Sequence, residues 1–188
     1  MSLTKGSLWR SGALALLAGA ALAFPTTAKA DITQGLSLRA GIFTPSHGGL
    51  RDLTDFGAWG GGLEYKVSFI PQLLNGDYWS TSISADFHYS ERNAGIFRYI
   101  PVSINQIYTF EGDDPGRAPY AGFCVTAATF GSTLGEGGGQ PTVTRIGGGL
   151  ILGMNWDRLY FETRYEWIDR HGSQYNPEGF RTYVGFRF

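Results

Sequence analysis

Asp86, His88 and Ser90 stand two apart in one short run, and their types are those of an acid, a base and a nucleophile. If the run is a strand, all three share one face. Same-face neighbours on a strand are about 7 Å apart, so His88 reaches Ser90 only across a bulge. The simpler reading is a polar network around His88, and no catalytic residue is expected. His47, His88 and His171 are the whole histidine complement and lack the spacing of a metal site. Cys124 is the sole cysteine, which excludes an internal disulfide and paired-cysteine metal motifs. Gly60-Gly61-Gly62 and Gly147-Gly148-Gly149 lack the Lys-Ser/Thr continuation of a phosphate loop. They read instead as bends or as room for large neighbours. No metal and no other cofactor is therefore expected. A second set of charges is Arg39, Glu64, Lys66, Asp86, Arg145, Glu162, Arg164 and Glu166. Glu162, Arg164 and Glu166, with Glu64 and Lys66, contain the carboxylates of a glycosidase pair. The mixture of signs favours a salt-bridged filling.

Period-two alternation supplies the elements that position these groups. It predicts eight strands, at about Gly35–Phe43, Trp59–Phe69, Tyr78–Tyr89, Phe97–Phe110, Tyr120–Phe130, Val143–Trp156, Leu159–Arg170 and Phe180–Phe188. The third is the cleanest: Trp79, Thr81, Ile83, Ala85, Phe87 and Tyr89 alternate with Ser80, Ser82, Ser84, Asp86 and His88. In the eighth, Phe180, Thr182, Val184, Phe186 and Phe188 oppose Arg181, Tyr183, Gly185 and Arg187. Turn-forming runs separate the strands, among them Pro45 to Gly49, Asn75-Gly76-Asp77, Gly131 to Pro141 and Gly172 to Gly179. Many short strands between such loops indicate an all-β barrel or sandwich. No helical period and no linker appears, so one domain is expected.

The N-terminus reads as a targeting segment. Lys5 and Arg10 precede the apolar run Gly12 to Phe24, Pro25 breaks it, and Ala28-Lys29-Ala30 offers small residues for a signal peptidase. The apolar run is shorter than the roughly 20 residues of a spanning helix. Residues 1–30 are therefore expected to be a cleaved secretory signal, with 31–188 the mature barrel. Cleavage leaves 12 basic and 16 acidic residues, a net charge of −4. With no basic run, a nucleic-acid partner is not expected.

Alternation alone does not separate a membrane barrel from a soluble sandwich; three features do. First, the mid-strand charges lie opposite the apolar face, where a small membrane barrel places its lumen. Second, aromatics gather at both strand ends around an aliphatic middle. One rim collects Phe69, Trp79, Tyr108, Phe110, Trp156, Phe161, Phe186 and Phe188; the other collects Phe43, Trp59, Phe87, Tyr89, Trp167 and Phe180. Two aromatic girdles around an aliphatic band match the two interfaces of a bilayer. Third, the chain stops on a strand, with Val184, Phe186 and a terminal Phe188. Closing a barrel requires the last strand to pair with the first, because hydrocarbon tolerates no open edge. The expected fold is all-β, a closed antiparallel up-and-down transmembrane β-barrel of about eight strands.

The ending Tyr183-Val184-Gly185-Phe186-Arg187-Phe188 resembles the terminal signature by which outer-membrane proteins are recognised by their assembly machinery. Tyr183 stands where that signature has glycine. Pro101 to Phe110, Pro119-Tyr120-Ala121-Gly122 and Leu159 to Trp167 are similar to the OmpA-like and OmpW-like small-barrel superfamily. This resemblance implies an eight-stranded barrel in the cell outer membrane, in contact with outer-membrane lipid and lipopolysaccharide. It implies no single activity; a structural, anchoring or surface-interaction role through the loops is expected. The His88–Ser90 pair also resembles the His-x-Ser-Asn run of outer-membrane lipid A deacylases. Here Glu91-Arg92 separate Ser90 from Asn93, the pair falls on the third strand, and its phase points inward where that family's nucleophile faces lipid. A lipid A acyl hydrolase and a small-solute channel are the alternatives. Oligomeric state is left open by the sequence.

Overall fold

The computed structural model describes residues 35–55, 57–67, 78–92, 95–110, 117–134, 139–169 and 176–188. Eight strands follow one another: β1 (Leu36–Pro45), β2 (Ala58–Val67), β3 (Trp79–Arg92), β4 (Gly95–Thr109), β5 (Pro119–Leu134), β6 (Gly139–Trp156), β7 (Leu159–Ile168) and β8 (Gly179–Arg187). Each pairs antiparallel with the next, and β1 pairs with β8, so the sheet closes into a barrel. The seam is in register over its length, with Leu38 opposite Phe186 and Ala40 opposite Val184. Phe188 N donates to Leu36 O at 3.1 Å and extends it to the last residue. The start of β1 and the end of β8 lie at one end of the barrel, called lower here.

The barrel is inside-out relative to a soluble sandwich. Outward-facing aliphatic side chains lie bare at mid-height: Ile104 is 51% exposed, Leu152 59% and Val184 49%. The aromatics Trp59, Trp156 and Trp167 are exposed toward the strand ends. Trp79, Phe186 and Phe188 are half-buried there. Phe69 lies outside the described residues. Phe43, expected in the upper girdle, instead points inward and is fully buried. It has the parity of Arg39 and Gly41 on β1, so alternation puts it in the lumen.

Strand length is uneven around the barrel. β3 to β6 span 14 to 18 residues, while β1, β2, β7 and β8 span 9 or 10. The run from Gly131 to Pro141, expected as a loop, belongs largely to strands. β5 continues to Leu134 and β6 starts at Gly139, with a register shift between Phe130 and Ser132. Glycine, serine and threonine read as loop residues, yet ladder pairing in register overrides that weak preference.

A helix of about two turns follows the turn-forming run Pro45 to Gly49, where no helix was expected. Helix α1 (Gly48–Thr54) begins with Arg51 N donating to His47 O at 3.0 Å. Thr54 Oγ1 donates back to Leu50 O at 3.1 Å. Two leading glycines oppose helix formation; burial of Leu50 in the barrel mouth supplies the stabilisation. Leu50 joins Phe43, Ala58, Phe97, Tyr99, Ala128, Phe130 and Ile168 in an apolar tier at the upper end of the lumen. A second apolar tier, Tyr120, Cys124, Ile151 and Tyr160, lies toward the lower end. The charged side chains of the interior form a layer at mid-height, while smaller polar groups such as Ser90 and Asn155 are buried nearer the rims.

Candidate functional site

That middle layer is a closed network of ions. Arg39 on β1 grips Asp86 on β3 with two bonds, Nε to Oδ1 and Nη2 to Oδ2, each 2.7 Å. Its Nη1 donates to Glu64 at 2.7 Å and to Glu162 at 3.2 Å. The planar, forked guanidinium makes such multivalent pairing possible. Arg164 on β7 donates to Asn105 at 2.8 Å and Glu64 at 3.1 Å, and pairs with Glu162 two residues before it. Arg181 on β8 joins Asp86 at 2.7 Å to Glu166. Hydroxyls complete the acceptors. Tyr120 donates to Glu162 at 3.0 Å, Tyr99 and Thr126 donate to Glu166 at 2.8 and 2.9 Å, and Ser82 donates to Glu64 at 2.6 Å. The Arg39 guanidinium also stacks 4.4 Å from the centre of the Tyr183 ring.

The three guanidiniums are fully buried against four carboxylates, of which Glu64 is the most exposed, at 12%. Desolvating so many charges is costly, and the loss is recovered only when nearly every lone pair and N–H is matched. Here every nitrogen of the three guanidiniums except Arg181 Nε has a partner among the described residues. Glycines opposite the long side chains leave the room they need: Gly62 faces Asp86, Gly60 faces His88 and Gly149 faces Glu166 in the ladders. A Cβ on Gly62 would come within 2.3 Å of an Asp86 carboxylate oxygen.

The structure brings together Arg39, Glu64, Asp86, Glu162, Arg164 and Glu166 from the expected charge set. Two members lie elsewhere. Lys66 is exposed at the lower end of β2. Arg145 sits half-buried on the upper extension of β6, where its guanidinium donates to Thr144 O at 3.1 Å. Parity alone placed both with the network, but parity does not report height, and the network occupies one level. Arg181 is the member that sequence reasoning missed. Its parity on β8 beside Tyr183 carried the signal, as did that of Asn105 on β4.

Asp86, His88 and Ser90 do share the inward face, and all are buried. They do not form a relay. The Asp86 carboxylate is occupied by Arg39 and Arg181. His88 lies between Ala58 O, 3.4 Å from Nδ1, and the Tyr183 hydroxyl, 3.1 Å from Nε2. A carbonyl only accepts, so Nδ1 carries the proton and Nε2 accepts from Tyr183. Both ring nitrogens are committed, neither to Ser90. Phe43 and Tyr99 pack tilted against the ring, with centroids at 6.1 and 6.0 Å. Nucleophile, base and orienting acid are therefore not assembled. Among the described residues no group of three or more His, Cys, Asp or Glu is placed to hold a metal ion.

No family model and no curated protein matches the sequence. Among solved structures, the crystal structure of Neisserial surface protein A (NspA) aligns with a TM-score of 0.51 at 14% identity. The alignment covers 81% of this chain and 94% of that one. At that identity the likeness is one of fold: this chain shares its barrel architecture with Neisserial surface protein A.

Proposed function

We propose that the protein is an integral outer-membrane barrel with a structural, anchoring or surface-interaction role, working through the loops at its upper end. The observation that carries this reading is the inversion of polarity. Bare aliphatic side chains cover the outside while arginine and carboxylate pairs fill the inside, and only a hydrocarbon solvent makes that arrangement favourable. The fold shared with a Neisserial surface protein supports it. So does the β1–β8 seam, which leaves the sheet no open edge. In this reading residues 1–30 are a cleaved export signal, the terminal strand engages the outer-membrane assembly machinery, and the band contacts outer-membrane lipid and lipopolysaccharide. The similarity to OmpA-like and OmpW-like barrels belongs to the same reading. An acyl hydrolase is disfavoured by the commitment of both His88 nitrogens, and a solute channel by the layered filling of the lumen.

The test is fractionation with gel mobility. The chain is expected in the outer membrane, resistant to carbonate extraction, migrating differently when unheated because a closed barrel survives detergent. A chain recovered soluble from the periplasm without detergent would overturn the reading. Edman sequencing or intact-mass measurement of the mature form checks the processing site between Ala30 and Asp31.

A further inference from the structure

Arg98 is the one described arginine on the outer face of the upper barrel, and it makes no hydrogen bond or ion pair among the described residues. It is exposed on β4, next to Ile100 in the outward series Ile104, Val102, Ile100, Arg98. It stands near the upper margin of the apolar band, between Ile100 below and the half-buried Ile96 above. Its ladder neighbours are Tyr89 on β3 and Gly131 on β5. Gly131 offers no side chain to pair with it. The nearest acid along β3, Glu91, accepts the Tyr89 hydroxyl at 2.7 Å instead. One row lower, Thr129 lies opposite Ile100 and Thr144 opposite Thr129, their hydroxyls 2.9 Å apart and exposed.

An unpaired guanidinium above an aliphatic surface, with two hydroxyls alongside, matches the chemistry of an anion carried by a polyhydroxylated group. The position fixes the source. On the reading that the barrel spans the outer membrane with its termini inside, this row stands at headgroup depth in the outer leaflet, continuous with the lipid-facing band. We propose that the patch holds the phosphorylated saccharide headgroup of an outer-leaflet glycolipid, its phosphate on Arg98 and its sugar hydroxyls against Thr129 and Thr144. The occupant is bound on the outside of the wall, independent of the sealed lumen.

The experiment uses the full mature chain in detergent micelles, its folding verified by heat-modifiable mobility. Native mass spectrometry then measures binding of bisphosphorylated lipid A, dephosphorylated lipid A and phosphatidylglycerol. Bisphosphorylated lipid A is expected to bind best. Arg98→Gln is expected to weaken it about tenfold, the loss of one charge-assisted contact, and Arg98→Lys less. Dephosphorylated lipid A should bind wild type no better than the bisphosphorylated form binds Arg98→Gln. The pair Thr129→Val with Thr144→Val should weaken lipid A and leave phosphatidylglycerol unchanged. Equal binding by wild type and Arg98→Gln, both folded, overturns the glycolipid site alone. Phosphatidylglycerol binding as tightly as lipid A does the same. A chain that forms no heat-modifiable barrel overturns the outer-membrane reading and this proposal together.

Discussion

Arg164 shows how a single side chain can hold the barrel's interior together. It is fully buried and satisfies Glu162, Glu64 and Asn105 at once. Arg164→Met removes the cation and leaves two carboxylates short of a partner. Breaking a buried ion network from one side costs about 3–5 kcal/mol. The folded, fast-migrating form is therefore expected to unfold at markedly lower urea than wild type, as read by the heat-modifiable band across a urea series. His88 predicts the opposite kind of result. His88→Ala deletes two hydrogen bonds inside an aromatic pocket and should lower stability by about 1–3 kcal/mol. It should leave the acyl chains of lipid A unchanged by mass spectrometry, as should Ser90→Ala, which is expected to cost little stability. An acyl chain removed only when both residues are intact would reverse the non-enzymatic reading.

At the scale of elements, the walls are keyed by glycine and tyrosine. A Cβ on Gly153 of β6 would fall 2.1 Å from the Tyr120 ring, and one on Gly185 of β8 would fall 2.1 Å from the Tyr160 ring. Gly153→Ala is thus expected to cost about 1–3 kcal/mol through overpacking. Tyr120→Ala should relieve that clash. A double-mutant cycle on urea midpoints is expected to show a coupling well outside additivity. Additive costs would show that Gly153 is not making room for the ring. These keys also show what was legible in the sequence. Alternation located every strand, because a half-polar, half-apolar wall must repeat with period two, and it set Arg39, Asp86, Glu162 and Arg164 on one face. Strand ends were less legible. Nothing in Gly131 to Pro141 distinguishes loop from extended hairpin, since those residues leave the band and lose the apolar half of the pattern. Helix α1 was hidden for a related reason: its stability comes from Leu50 docking into the lumen and not from Gly48-Gly49. The network's membership required three-dimensional height, so Lys66 and Arg145 were included by parity while Arg181 was passed over.

For the whole molecule, the layering of the lumen decides permeability. An eight-stranded barrel has an interior that side chains can just fill. Here ions fill the middle, an apolar tier caps them above, and Tyr120, Tyr160 and Asn155 are buried below. No stable porin-sized conductance is expected in planar bilayers. Deleting residues 48–54 should not create one, because the ionic layer remains. Reproducible large steps from either protein would show that the layer is not continuous. Deleting Phe188 is expected to reduce insertion in cells far more than refolding in detergent, since one aromatic contributes only about 1.5–3 kcal/mol to the folded state. Normal outer-membrane levels without it would remove the C-terminus as an assembly signal. The origin of the network's charges adds a constraint in time. Arg39, Glu64 and Asp86 come from β1 to β3, while Glu162, Arg164, Glu166 and Arg181 come from β7 and β8. The described residues between contribute no ion to the network. Arg39 meets Asp86 early, 47 residues away, but Arg39 and Glu162 are 123 residues apart. The early set, Arg39 with Glu64 and Asp86, is left with one carboxylate in excess until Arg164 and Arg181 arrive on the last two strands, and closing so long a loop is slow. The half-built wall must keep its inner face in water up to that moment, which makes closure at the β1–β8 seam and dehydration of the lumen one event, and the last in the barrel's formation.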